Sequence, residues 1–348
     1  MSFPRRTACS LLALSVLGCE SPGKGVNKDP AAHKPPEGYH AATATPINAG
    51  WQAAANRQVQ AALRSPDQLV RCHALEVIAD VGVSDPAPLI LPSLDDPSPL
   101  VRKAAAMTAG RLKVTAATDR LVRMVTDPAK IDDPRDPDSP TYVLQARMAA
   151  IFALHQLGDS RWTHELEQTA VDGRPQIRGD TALILELIGN TSAVPILYQM
   201  MTHDRIPNVR LQAAEALWRL GDSRGEDTLV QATVSSYASD RMVALLALSG
   251  PRDQRVLRNV YGMLTDDYPE VSLVAARAAG QLGNDAGIGV AEKGAASDDP
   301  MQRSLAALAL GDIGRSDSQP ILAKLLDDDH ADVRLTAAAA LLEIGRKK

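Results

Sequence analysis

Aromatic side chains are scarce in this chain. Its 348 residues include 3 Trp, 6 Tyr and 2 Phe. Base-stacking surfaces draw on aromatics, so a nucleic-acid stacking platform is excluded. The core has to be made from Ala, Leu, Val and Ile instead. Basic charge is not in excess either. With 37 Lys+Arg against 42 Asp+Glu the net charge is −5, which is not the basic footprint that nucleic acid requires. Cysteine is nearly absent, at 3 residues. Two of them, Cys9 and Cys19, fall in the first twenty positions, which leaves Cys72 alone. One thiol makes neither an internal bridge nor a Cys-rich metal site. Cys72 lies in an apolar helical stretch and reads as a small buried hydrophobe. The 45% of apolar residues still excludes wholesale disorder.

The first eighteen residues read as an export signal. Arg5 and Arg6 make a basic start, and the apolar stretch from Thr7 to Leu17 is too short to span a bilayer, which takes about 20 residues. It ends in Val16-Leu17-Gly18-Cys19. This resembles a bacterial lipobox, which implies cleavage before Cys19 and a thioether lipid on its sulfur. Two or more acyl chains, at about 0.8 kcal/mol per buried CH₂, give stable anchoring. The expected location is the cell envelope, lipid-anchored on the periplasmic side. Glu20 favours the outer membrane, because in enteric bacteria an Asp there retains lipoproteins at the inner one. Residues 19–50 carry Pro22, Pro30, Pro35, Pro36 and Pro46 with no apolar period, and read as a disordered tether.

Residues 51–348 are one unit copied about nine times. The pattern Val-Arg-x-x-Ala-x-x-Ala-Leu-x-x-Leu-Gly recurs with its Arg, position zero, at Arg71, Arg102, Arg147, Arg178, Arg210, Arg241, Arg303 and Arg334, and with Ser272 in its place once. Spacings are 31 or 32 residues, except for one of 45. Offsets −1, +3, +7 and +10 form an apolar stripe on a helix. Position +3 is Ala in every copy but one, where it is Thr181. Gly at +11 suits a left-handed helix end. A second, shorter apolar run, such as Ala193 to Met201, completes each unit. Each unit is therefore helix A, turn, helix B, turn, and one pair cannot bury its apolar face without neighbours.

On these residues the chain resembles the HEAT-repeat family, in particular the short bacterial HEAT-like repeats of phycobilisome lyase subunits. The resemblance implies an all-α, right-handed α-solenoid of about nine helix pairs. Family members pair the zero Arg with an Asp of the A–B turn. Here Asp96, Asp172, Asp204, Asp266 and Asp328 lie six before it, so an internal Asp–Arg ladder is expected.

Departures from the pattern are where specificity is sought. The long spacing inserts an acidic, Pro-rich segment, residues 127–140, in the A–B turn of repeat three. Asp132, Asp133, Asp136 and Asp138 suggest calcium, but the Gly turn and terminal Glu of an EF-hand are missing. A protein-contacting loop and a plain solvated insertion are the alternatives. Gly250-Pro251 shortens helix B of repeat six. Offsets +1, +5 and +8 vary between copies and collect Met148, Phe152, His155, Leu211, Glu215, Trp218, Met242 and Leu246. If exposed, they make a Met/Trp/Phe groove for a partner helix or peptide. If buried, they pack between repeats.

Catalytic and metal signals are weak. Gly221-Asp222-Ser223-Arg224-Gly225 fits a nucleophile elbow by its letters, but a helix precedes it where a strand is needed. Its Asp or Ser reads as a helix cap. None of the seven His forms a His-Glu-x-x-His pair. No metal and no cofactor are assigned. The reading is a lipid-anchored envelope scaffold or adaptor, expected to be monomeric, that binds a protein or peptide without catalysis. The alternatives are an accessory subunit of an enzyme, such as a bilin-lyase-like chromophore attachment factor, and a purely structural envelope element.

Overall fold

The computed structural model describes residues 47–126, 139–250 and 256–346. The leader, Cys19 and nearly all of the expected tether lie outside the described residues. So do residues 127–138 of the insertion and Pro251. The described residues contain eighteen α-helices and no strand. In chain order these are α1 (Ala49–Ala62), α2 (Gln68–Val81), α3 (Ala87–Ile90), α4 (Pro99–Arg111), α5 (Thr118–Thr126) and α6 (Ser139–Gln156). Then come α7 (His164–Thr169), α8 (Pro175–Leu187), α9 (Val194–His203), α10 (Pro207–Arg219), α11 (Ser223–Ala232) and α12 (Ala238–Ser249). The last six are α13 (Leu257–Met263), α14 (Pro269–Gln281), α15 (Ile288–Gly294), α16 (Pro300–Ile313), α17 (Gln319–Leu325) and α18 (Ala331–Ile344). Odd numbers are A helices and even numbers B helices, so the expected nine pairs are present. The helix of repeat three starts at Ser139, so the last two residues of the expected insertion are helical.

Local chemistry sets the ends of the B helices. Five of them open with Pro at the first helical position, Pro99, Pro175, Pro207, Pro269 and Pro300, where the missing N–H costs nothing. Asp67 and Asp299 cap α2 and α16 by accepting from the backbone N–H of Leu69 and Met301. Six glycines of the +11 column have φ between 58° and 96°. Gly221 is one of them, so the elbow-like Gly221 to Gly225 segment is the end of α10 followed by the start of α11. There the Asp222 carboxylate accepts from the Arg224 backbone N–H at 3.1 Å, as a turn residue does.

The apolar stripe is the core. All nine residues of the +3 column, from Ala74 to Ala337, are fully buried. The +7 column, including Ile78, Leu154, Leu185, Leu217, Leu310 and Leu341, is sealed as well. Small residues at +3 let helices approach closely, so aromatics are dispensable.

Two compact units divide the chain. One is Leu63–Thr228. Within it α4 and α6 pack tightly, and a Cβ on Gly110 would stand 2.8 Å from both Ala153 Cα and Phe152 Cε1. The other unit runs from Leu229 onward and includes α1. Here α14 packs on α16 and α16 on α18. Gly280 and Gly311 sit where a Cβ would meet Ile313 N at 2.5 Å and Ala340 Cβ at 2.7 Å. The helix at the start of the chain, α1, packs against α18.

Candidate interaction surface

The predicted Asp–Arg ladder is built, with a register that couples successive repeats. In the Leu63–Thr228 unit Arg71 grips Asp96 through two bonds of 2.9 Å, and Arg178 grips Asp204 at 2.6 and 2.8 Å. In the other unit Arg241 holds Asp266 at 2.9 and 2.8 Å, and Arg303 holds Asp328 at 2.7 and 2.9 Å. Each Asp belongs to the repeat after its Arg. Within its own repeat the zero Arg donates instead to the backbone carbonyl six residues before it. Arg102 does so to Asp96 O, Arg210 to Asp204 O and Arg334 to Asp328 O, at 2.6–2.9 Å. Asp172 departs from the scheme and pairs with Arg174, while Arg147 takes Glu165 at 2.7 Å. Charge-assisted bidentate bonds of this kind are the strong ones. The guanidinium bonds hold the Asp204 and Asp328 carboxyls below the usual range, and the same bonds push Arg178 and Arg303 up. The ladder is structural, and its cations are committed to it.

The predicted groove is not exposed. Met148 (1% exposed) and Phe152 (2%) are buried on α6, Leu211 on α10 and Met242 on α12. His155, Glu215, Trp218 and Leu246 are half-buried. The first six of these eight by position belong to the Leu63–Thr228 unit, whereas Met242 and Leu246 belong to the other. The physical reason is geometric. Offsets +1, +5 and +8 line the seam between one B helix and the next, as Phe152 at +5 of repeat three pressing on Gly110 at +8 of repeat two shows. Of the half-buried four, His155 Nδ1 lies 3.1 Å from Ser160 Oγ. Glu215 pairs with Arg219 at 3.2 Å. The Trp218 indole N–H is sealed from water without an acceptor.

A polar strip runs beside that seam in the Leu63–Thr228 unit. Arg111 meets Asp80 at 2.7 Å and Arg219 meets Glu186 at 3.5 Å. Lys103 of repeat two reaches Asp180 of repeat four at 2.6 Å, across repeat three. Glu76 completes the strip, and its Oε2 is sealed with no hydrogen-bond partner. Burial pushes its carboxyl up to about 8, opposed by the nearby His73 and reinforced by Asp80. One turn before it, burial raises the Cys72 thiol to about 12, which makes it inert.

Seven large apolar side chains are exposed among the described residues: Leu69 and Met301 at register −2, Tyr198 on α9, and four at the A–B turns, at registers −7 and −4. The Leu63–Thr228 unit shows Val171, 75% exposed, and Ile206. At its turns the other unit shows Val234, 46% exposed, with Tyr237. Val171 and Val234 share register −7, and Ile206 and Tyr237 share −4. Sequence reasoning missed these residues, because lone exposed apolar side chains are ordinary. The second unit also has a shallow cavity of 730 Å³ between repeats eight and nine, lined by Glu292, Ser297, Arg303, Ile321, Lys324 and Asp328 among others. Among the described residues no three His, Cys, Asp or Glu side chains stand close enough to hold a metal. No described helix is long and apolar enough to cross a membrane.

Stacked helix pairs with a buried small-residue stripe, an Asp–Arg ladder and variable turns define a helical-repeat protein. The profile for HEAT repeats matches residues 57–133, 163–249 and 256–343, and the chain belongs to the HEAT-repeat family. No curated relative matches it in sequence. Among solved structures it is similar to human deoxyhypusine hydroxylase in complex with glycerol. That match has 18% identity and a TM-score of 0.37, and covers 86% of this chain and 99% of that one. It is also similar to the CpcE–CpcF complex of phycocyanin lyase from Nostoc sp., at 20% identity, 69% and 82% coverage and TM-score 0.33. A third is the karyopherin Kap121p bound to the SUMO protease Ulp1p, at 15% identity, 84% and 37% coverage and TM-score 0.34. These likenesses concern the fold alone.

Proposed function

We propose that this chain is a lipid-anchored scaffold or adaptor of a bacterial envelope, which binds a protein or peptide partner through its repeat surface and performs no chemistry itself. The observation that carries the binding reading is the exposure of Val171, Ile206, Val234 and Tyr237 at A–B turns. Isolated exposed apolar residues need no explanation, but Val171 with Ile206 in one unit, and Val234 with Tyr237 in the other, place apolar surface on turns within reach of a partner. Two further features agree. The ladder ties the backbone beneath each turn to the next repeat, so the edge is presented rigidly, which lowers the entropic cost of binding. The ladder also engages Arg71, Arg178, Arg241 and Arg303 on carboxylates of neighbouring repeats. The anchor reading rests on Val16-Leu17-Gly18-Cys19.

The test is crosslinking in membranes. A photoreactive residue at Ile206 or Tyr237 should capture a discrete partner, and Ile206→Asp with Tyr237→Asp should abolish co-purification while helix content stays unchanged. Adducts that form equally from buried-seam positions such as Met148, or co-purification that survives both aspartates, would remove the turn edge from consideration. For the anchor, Cys19→Ser should release the protein from the membrane fraction. Retention of the variant would overturn that part.

A further inference from the structure

The last B helix has no polar outer face. In an open repeat array the terminal helix must show polar side chains to water, because no further repeat covers it. In α18, Val333, Leu335 and every residue from Thr336 to Leu342 are buried. Most of its length is Leu, Ala and Thr. What covers it is α1, from the other end of the chain. The Gln58 side-chain amide donates to Leu326 O at 3.0 Å, over a sequence separation of 268. Ile47, just before α1, fits over Gly345, where a Cβ would come within 2.7 Å of its Cγ2. The stripe that α1 lays down is narrow: Ala55, Val59 and Ala62 are buried, and Trp51, Ala54 and Gln58 half-buried. Gln52, Asn56, Arg57 and Gln60 are exposed on its other side.

The two sides of this contact are unequal. A helix of 14 residues is marginal by itself in water, and α1 buries small side chains. By contrast α18 is held from behind by α16 and α17. In sequence α1 is separated from the rest of its unit by the whole of Leu63–Thr228. It is therefore a cap that can leave without dismantling the repeats it covers, and its departure would bare an apolar helix face. We propose that the outer face of α18 is a helix-docking surface, and that the partner it fits is α1 of a second copy of this chain. Copies would then link head to tail by exchanging their first helix. The contact is heterologous, with different surfaces on the two copies, so repetition gives a chain of molecules and not a closed pair. Within one molecule the covalent connection makes capping intramolecular and favours it at low protein concentration. Exchange therefore belongs to crowded conditions. This surface is distinct from the turn edge proposed above, and either can fail without the other.

Complementary full-length variants test the idea. Val59→Asp spoils the helix stripe and leaves the α18 face intact. Gly345→Phe fills the place of Ile47 and leaves α1 intact. Each variant alone should sediment as a monomer, and an equimolar mixture should contain a 1:1 heterodimer of twice the mass. A mixture that stays monomeric, with both variants showing wild-type helix content, overturns the proposal. If Val59→Asp lowers helix content, Ala55→Asn is the milder lesion on the same stripe. A fluorescent peptide of residues 47–62 gives an independent reading. It should bind the wild-type chain, bind more tightly once the chain's own α1 is spoiled, and not bind Gly345→Phe. Failure to bind any folded chain overturns the proposal as well.

Discussion

Lys113 offers the sharpest test of how the repeat pattern determines backbone conformation. It occupies the +11 place of repeat two, where the other copies, with one exception, carry Gly. Its φ is 53°, the sole positive value at a non-glycine among the described residues. An L-residue held in the left-handed region costs roughly 1–2 kcal/mol. Glycine there escapes that cost but gives up more chain entropy on folding, about 0.5–1 kcal/mol. The difference makes Lys113→Gly stabilising by about 0.5–1 kcal/mol. Gly189→Ala is the mirror experiment. Its φ is 70°, and no heavy atom lies within 4 Å of the added Cβ, so the cost is conformational alone and of about the same size with opposite sign. Lys113→Ala is the control for charge and should be nearly neutral, because Ala keeps the strain. Urea titration followed by circular dichroism reads all three, with a melting shift of about 1–4 °C expected for the glycine variant. Since repeat arrays can open in parts, hydrogen exchange at the end of α4 supplies the local reading. A Lys113→Gly chain no more stable than wild type, beside a Gly189→Ala chain that loses nothing, would refute the left-handed account of this column.

Glu76 predicts a pH dependence. Its carboxyl is raised to about 8 from 4.5, so between those values the folded chain holds a proton that the unfolded chain releases, and stability falls as pH rises through that window. Glu76→Gln should flatten the slope and gain about 1–3 kcal/mol at pH 8, seen by chemical denaturation at several pH values. On the acid side the depressed Asp204 and Asp328 carboxyls add stability above pH ~4 that is lost as pH falls through their folded values; Asp204→Asn should weaken that acid transition. Arg241→Met leaves Asp266 in place with its side chain fully buried, at a cost of about 3–5 kcal/mol, and adding Asp266→Leu should recover much of the loss in thermal melts. Cys72 should resist a thiol reagent in the native chain and react at the rate of unfolding. Gly110→Ala should destabilise by about 1–3 kcal/mol through overpacking against Phe152 and Ala153, with no φ strain involved.

Much of the fold was legible because its determinants are local. A column such as Ala74, Ala105 and Ala150 recurs at helical phase, and burial of that stripe follows from the period. The ladder was expected from the resemblance to the family, but its register was not. An Asp six before an Arg does not tell that the carboxylate serves the preceding repeat. The groove was misplaced for a related reason. A varying stripe of Met148, Phe152 and Trp218 looks like a surface, and the period does not tell on which side the next helix packs. Gly110, at the place where its neighbours carry Trp218 or His155, was the hint that +8 is a seam. The seat of α1 on α18 could not be read at all, since nothing in a repeat pattern tells which helix covers the α18 face. Likewise Val171 and Tyr237 stand in turns, where no periodic burial constrains residue choice.

The bond from Lys103 to Asp180 has a consequence for how the molecule comes apart. An array whose couplings run strictly between adjacent repeats melts like a zipper, each tooth independent of all but two others. A link from repeat two to repeat four removes that independence locally. Repeat three cannot loosen without stretching the link, and repeats two and four cannot part while it holds. A part-exposed ion pair of this kind contributes up to about 1 kcal/mol, so it biases these three repeats toward opening together where the other couplings run only between neighbours.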